Sequence, residues 1–331
     1  MALNKIMDPK QAIKTPILFL IFSRPDTTQM VFQAIRKARP GRLFVAADGP
    51  RENRPEEAEK CQACRAIIDQ VDWECEVRTL FRETNLGLKL AVSSAITWFF
   101  DQVEEGIILE DDCIPSQSFF CFCQELLEKY RDDERVMSIC GNNFQDGRER
   151  GGGTYYYSRI PGIWGWATWR RAWKLFDPES KTFPQFKEQQ QIKNIFQDKI
   201  SQRFFISKIQ DARNGGNTWG FPWVYAVLAN NGLCVTPNVN LVSNCGCGPD
   251  AVHAIDPNSR FANIPAFEID TIIHPLFPIP DKEADAYFIR SIASEQMEKK
   301  SFMLFIKSMI RSIIGDNNYE MLKKKIKFQR S

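Results

Sequence analysis

The chain has 331 residues, 44% of them hydrophobic, with 43 lysines and arginines against 41 acidic residues and a net charge of +2. That is enough apolar material for a substantial core, as one large domain or two smaller ones, and the near balance of charge argues against a nucleic-acid binder, whose phosphate contacts leave a domain strongly basic. No apolar run approaches the roughly 18 to 20 residues that span a bilayer, and Met1 to Lys14 lacks the apolar core of a signal peptide, so a cytoplasmic protein is expected.

In chain order, the first half alternates strand and helix. Pro16–Phe22 is an apolar strand ending at Ser23-Arg24-Pro25-Asp26, and Thr28–Arg39 follows with helical periodicity. Arg42–Ala47 predicts a second strand, closed by Asp48-Gly49-Pro50, where Asp-Gly is a turn signal. Glu56–Gln70 predicts a helix, Glu74–Phe81 a third strand and Gly87–Phe100 an amphipathic helix. Cys61 and Cys64 form a Cys-x-x-Cys inside the first of these helices, and none of the ten cysteines stands at zinc-finger spacing from either histidine. Reduced thiols packed as small apolar side chains are the better account.

Gly106 to Asp112 reads Gly-Ile-Ile-Leu-Glu-Asp-Asp, an apolar run that stops at three carboxylates. A buried strand here delivers Glu110, Asp111 and Asp112 to its carboxyl end, where open α/β sheets bind ligands. Side by side without a cation the three would repel, and hard oxygen ligands suit Mg2+ or Mn2+ gripping a substrate phosphate. The triplet alone is weak, since about 0.6 would arise by chance at this composition. Asp132-Asp133-Glu134 is a second one, flanked by arginines and consistent with a solvated turn. Ser116–Tyr130 then predicts a helix and Val136–Cys140 a strand. Strands joined by single helices imply right-handed crossovers and a mainly parallel sheet.

Beyond about Asn142 the character changes. Gly151-Gly152-Gly153 precedes a strand at Thr154–Ser158, and five of the eight tryptophans fall at Trp164, Trp166, Trp169, Trp173 and Trp219. Aromatic, glycine-rich segments such as this form either binding loops or an aromatic core beside a hairpin. Gln189–Asp211 predicts a polar helix, Trp223–Asn230 a buried helix and Leu233–Val242 a strand pair or bent strand.

Several ordered segments together resemble a glycosyltransferase of the GT-A fold, in the bacterial group related to the N-acetylglucosaminyltransferase I type. They are Phe19-Leu20-Ile21-Phe22-Ser23-Arg24-Pro25, Ala47-Asp48-Gly49-Pro50-Arg51, Asn85-Leu86-Gly87-Leu88-Lys89, Leu109-Glu110-Asp111-Asp112, Trp164-Gly165-Trp166-Ala167-Thr168-Trp169, and Asn240-Leu241-Val242-Ser243-Asn244 with its Gly-x-Gly loop. The resemblance covers most of residues 15 to 255. It implies a Rossmann-like three-layer α/β/α fold with a mainly parallel central sheet and a smaller acceptor-side subregion.

It also implies a site. Asp112 would be the direct ligand of Mn2+ or Mg2+, Asp111 would reach the ribose, or the metal through water, and Glu110 would orient the nucleotide; one of these two carboxylates merely capping the turn toward Pro115 is the plainer alternative. Asp48 would accept from a base edge as well as forming its turn, and Ser23, Arg24, Asn85 and Lys89 would meet the base or diphosphate, though a helix-face lysine is commonly just solvated. Trp164, Gly165 and Trp166 would cover a sugar. His253, after Cys245-Gly246-Cys247-Gly248-Pro249-Asp250, would complete the metal shell, whereas His274 has no such context.

The resemblance departs at the base. Relatives carry an acidic residue after the tryptophan matched by Trp219, and here that position is Gly220. An inverting mechanism needs a carboxylate to deprotonate the acceptor, which leaves Asp211 and Asp250 as fallbacks, either of which is equally an ordinary cap.

The resulting expectation is one GT-A domain, with a nucleotide-sugar-binding half at 15–141 and an acceptor-side half at 142–290, between an N-terminal extension at 1–14 and a helical basic tail at 291–331. It would move a sugar from a nucleoside diphosphate, UDP first, to a hydroxyl of a glycan or lipid-linked acceptor in bacterial surface-polysaccharide synthesis. A nucleotidyltransferase would show a glycine-rich, Arg- or Lys-bearing loop after the first strand, and Ser23-Arg24-Pro25-Asp26 is not one. A sugar-nucleotide or glycan binder whose catalysis has lapsed is the other alternative, kept open by Gly220. In the tail, Phe302, Phe305, Ile306, Met309, Ile310 and Ile313 recur at helical spacing and Lys323, Lys324, Lys325, Lys327 and Arg330 follow. Such a helix either packs on the domain or touches anionic lipid at the inner face of the plasma membrane.

Overall fold

A computed structural model describes residues 12–246 and 259–295, together with the backbone of Asn4 and Lys5. Asp250, His253 and the tail beyond residue 295 lie outside the described residues. The chain divides into two compact units, Met1–Ala286 and Tyr287–Ser331, and the sheet, its covering helices and the candidate site all belong to the first.

Eight strands make one mixed, mainly parallel sheet in the order β4 (Glu76–Phe81), β3 (Arg42–Ala47), β2 (Ile17–Ile21), β5 (Glu105–Glu110), β9 (Trp166–Trp169), β7 (Val136–Cys140), β10 (Leu233–Pro237) and β8 (Tyr155–Ser158). Two short ladders lie apart from it, β1 (Asn4–Lys5) with β12 (Thr271–Ile272), and β6 (Cys113–Pro115) with β11 (Val242–Asn244). The parallel block β4-β3-β2-β5 is joined by helices α1 (Pro25–Ala38), α2 (Glu57–Ala66) and α3 (Gly87–Phe100), with α4 (Gln117–Lys129) following β6.

The layering follows from strand alternation. Every residue of β2 is buried, with Ile17, Phe19 and Ile21 joining one core with Val31 and Phe32 of α1 and Phe119 of α4, while Leu18 and Leu20 join another with Ile96 and Phe99 of α3. A strand covered on both faces reads as a continuous apolar run, as this one does. Pro25 sits in the first turn of α1, where its missing N–H costs nothing, so only Phe22, Ser23 and Arg24 separate β2 from the helix.

The aromatic segment is the main departure from expectation. Trp166 to Trp169 form β9, a central strand antiparallel to both β5 and β7. Ala167 and Trp169 fill one core and Trp166 the other, the alternation of a strand between two apolar layers. Trp166 stacks on Trp219 with centroids 5.7 Å apart and also packs against Trp223 at 5.6 Å, so it belongs to the core and not to a binding loop. Gly165, at φ 63°, turns the chain into this strand, and a Cβ there would stand 2.7 Å from Cγ2 of Val242.

Smaller differences have local causes. The helix expected over Gln189–Asp211 is split into Ile192–Ile195 and Lys199–Arg213, because Asp198 restarts it by accepting from Ser201 N–H at 2.8 Å. The buried helix begins earlier than expected, at Gly220–Ala229, and Ile67–Gln70 continues α2 as a 3-10 turn.

Candidate active site

A cavity of about 310 Å3 opens at the carboxyl ends of β2, β3 and β5. Each strand delivers a polar terminus to it: Ser23 and Arg24 after β2, Asp48 after β3, and Glu110 with Asp111 and Asp112 at the end of β5. Its far side is made by Ile163, Trp164, Trp219 and Gly220.

Arg24 is the centre of the charge arrangement. One guanidinium nitrogen pairs with Asp111 Oδ1 and the other lies 3.0 Å from Asp112 Oδ2. Burial works against the cation, but the two carboxylates outweigh it and raise the Arg24 pKa. Asp112 is fixed further by Asn244 Nδ2 donating to its Oδ1 at 3.3 Å and by Cys245 N–H donating to its carbonyl at 2.9 Å. The β6/β11 ladder makes this possible by placing Asn244 opposite Cys113.

The carboxylates are held in an electrostatically tense state. Burial pushes Glu110 up to about 8, and Asp112 and Asp111 add repulsion. Burial also pushes Asp111 up, to about 6, although Arg24 pulls the other way. Oδ2 of Asp111 is buried with no hydrogen-bond partner, and the side chain of Glu110 has no hydrogen bond or ion pair among the described residues. A buried oxygen without a donor carries a desolvation penalty that a cation or ligand donor would relieve.

Among the described residues no group of three or more His, Cys, Asp and Glu side chains is arranged to hold a metal ion. Asp111 and Asp112 nevertheless supply adjacent hard oxygens, one of them unpartnered, which suits a Mg2+ or Mn2+ whose other ligands are water and substrate phosphate.

Asp48 fills the turn-forming role and extends it to the start of α3. Its carboxylate accepts from Gly49 N–H at 3.0 Å, from Leu86 N–H at 3.0 Å and from Gly87 N–H at 3.1 Å, tying the end of β3 to the start of α3. Asn85 supports the same junction by donating to the Gly49 carbonyl at 2.8 Å, and both residues line the cavity. Lys89 does not line it; its ammonium pairs with Glu179 at 3.1 Å. Asp211 is exposed on the helix Lys199–Arg213 and also lies outside the cavity lining, so helix phase removes it as a base for this site. Trp164 does line the cavity, packed edge-on against Phe144 at 5.1 Å, whereas neither Gly165 nor Trp166 does.

The sequence reading missed Asn217, whose Oδ1 accepts from Lys89 N–H at 2.9 Å and which lines the cavity, and Arg82, which lines it too. Neither stands in a recognisable motif. Gly246 carries no side chain to advertise its role, yet a Cβ on it would overlap Asp112 Oδ2. No helix among the described residues is long and apolar enough to cross a membrane.

No protein-family model matches the chain, and no curated protein does. Among solved structures it is similar to the mannosyltransferase PcManGT from Pyrobaculum calidifontis in complex with GDP-Man and Mn2+, at 11% identity over 53% of this chain and 49% of that one, with a TM-score of 0.35. The chain therefore spans about half the length of that enzyme. It is also similar to a UDP-glucose pyrophosphorylase complexed with UDP-glucose, at 9% identity over 68% of this chain and 90% of that one, TM-score 0.35. A third is 4-diphosphocytidyl-2C-methyl-D-erythritol synthase from Anaerococcus prevotii DSM 20548, at 9% identity over 49% and 73%, TM-score 0.31. At these values the likenesses assign no role to any residue.

Proposed function

We propose that the chain is a metal-dependent glycosyltransferase of the GT-A type, moving a sugar from a nucleoside diphosphate, UDP first, to a hydroxyl of a glycan or lipid-linked acceptor with inversion. The observation that carries this is the pairing of Asp111 and Asp112 with Arg24 at the ends of parallel strands, with Asp111 Oδ2 buried and unpartnered. A sugar nucleotide brings what such a floor lacks, a polyanion able to share a cation with it and to accept from a guanidinium.

In the transfer, the acceptor oxygen bonds to the anomeric carbon while the bond from that carbon to the diphosphate breaks, and the acceptor proton leaves to a base. Mn2+ or Mg2+, when bound by Asp111 and Asp112, would supply charge stabilisation for the departing diphosphate. Arg24 and Arg82 add positive charge to the cavity lining. Asp48 and Asn85 hold the β3 turn and the start of α3 in one conformation, so the nucleotide meets a preformed slot. Trp164 offers an aromatic face to a sugar ring. Glu110, whose side chain has no partner among the described residues, is available to hydrogen-bond a hydroxyl of the donor or acceptor. No carboxylate stands at Gly220 to act as base, and His253 and Asp250 remain proposals resting on the resemblance alone.

Incubation with UDP-sugars and Mn2+, scored for released UDP and free sugar, tests the reading. Slow hydrolysis supports it. Pyrophosphate formed from UTP and a sugar 1-phosphate would instead make the protein a nucleotidyltransferase, and sugar-nucleotide binding with neither reaction would make it a binding protein.

A further inference from the structure

We infer that Arg24 is a displaceable internal cation that holds the metal position of this site closed until a diphosphate arrives, so that metal and nucleotide bind with strong mutual dependence. The inference rests on the metal-assisted reading above and adds an order and a coupling to it. Both terminal nitrogens of Arg24 are engaged, one by Asp111 and the other by Asp112 at 3.0 Å, which are the two carboxylates a divalent ion would need. Arg24 takes Asp111 Oδ1 and Asp112 Oδ2 and leaves Asp111 Oδ2 unpartnered, so a divalent ion bridging both carboxylates competes with the guanidinium for Asp112 and is repelled by its charge until Arg24 leaves. Leaving is costly unless another anion receives it, because Arg24 is largely enclosed, with 23% of its side chain exposed.

The geometry restricts where it can go. Gly246 closes over the pair, and a Cβ on it would stand 3.1 Å from Arg24 Nη1 as well as overlapping Asp112, so the guanidinium cannot retreat on that side. The backbone of Arg24 is anchored, its carbonyl accepting from Thr28 N–H at 3.0 Å and Thr28 Oγ1 at 2.7 Å, so only the side chain can swing. The remaining direction is the cavity that Arg24 lines. A diphosphate there accepts the fork in place of the two carboxylates, and one cation exchanges for another at Asp111 and Asp112.

The test is titration of Mn2+ into the full chain, followed by the electron paramagnetic resonance signal of the free ion, with and without UDP. In the parent, Mn2+ alone binds weakly and UDP tightens it. In Arg24→Met, Mn2+ alone binds roughly tenfold tighter than in the parent and UDP adds less, a coupling of the usual size between linked sites. Arg24→Lys keeps the charge without the fork and falls between the two, and it serves if the methionine variant melts too low to titrate. Equal Mn2+ affinity of folded Arg24→Met and parent without UDP overturns this inference alone. No Mn2+ binding by either protein, with or without UDP, overturns the metal reading and this inference with it.

Discussion

Gly246 lies so close to Asp112 that a Cβ on it would overlap Oδ2 of the carboxylate. The contact is positional: Gly246 N–H donates to Asn244 Oδ1 at 2.9 Å, and Asn244 in turn donates to Asp112, so the loop, the amide and the carboxylate fix one another. Gly246→Ala should push Asp112 off its position and weaken Mn2+-supported UDP binding on the order of tenfold to a hundredfold, as loss of an orienting neighbour does at metal sites. Calorimetry would read it, and unchanged affinity would remove Gly246 from the site.

Trp164 and Trp166 should behave oppositely. Trp166 is fully buried among Trp173, Trp219 and Trp223, so Trp166→Ala should cost about 3 to 5 kcal/mol of stability by leaving a large void. Trp164 lines the cavity, and Trp164→Ala should leave most of the melting temperature in place while weakening UDP-sugar binding more than UDP binding. Denaturant unfolding and paired titrations of both variants would show whether the division holds.

Lys89 offers a negative expectation. Its pairing with exposed Glu179 is of the kind worth at most about 1 kcal/mol, so Lys89→Ala should change neither stability nor UDP affinity appreciably. A large loss of UDP affinity would place the ammonium on the diphosphate after all.

Asp285 should give the fold a pH dependence away from the site. Burial pushes its carboxyl up to about 7, against hydrogen bonds from Ser158 Oγ and from Arg159 N–H at 3.1 Å that favour the charged form. With the folded pKa above the unfolded one, the protonated carboxyl contributes stability that is complete below about pH 4 and is lost as pH rises toward 7. Asp285→Asn should flatten that slope in denaturant titrations between pH 4 and pH 7. An identical slope in the variant would put the titration elsewhere.

How much of this was legible in the sequence depended on whether a residue's role is local. Phe19 to Arg24, Ala47 to Pro50 and Leu109 to Asp112 announce buried strands ending in polar turns, and the parallel block presents those three ends at one cavity. Trp166 misled because tryptophan beside glycine suits a binding loop as well as a core strand, and only pairing with β5 and β7 decides between them. Asp211 failed for a similar reason, since its helix is real but its face depends on where Asp198 restarts the turn. Asp48 lines the cavity, yet its bonds to Leu86 and Gly87 join segments 38 and 39 residues apart, which no local pattern encodes. Arg24 bridging Asp111 and Asp112 is likewise a tertiary fact, 87 residues apart in sequence for its first partner.

The central claim is that Asp111 and Asp112 share a divalent cation with a nucleoside diphosphate. Its most direct test is calorimetric titration of UDP into the full chain in Mn2+ and in EDTA, with Asp112→Ala alongside. The account predicts tighter UDP binding in Mn2+, an advantage that disappears in Asp112→Ala while the variant remains folded. The same UDP affinity in EDTA as in Mn2+ would contradict it.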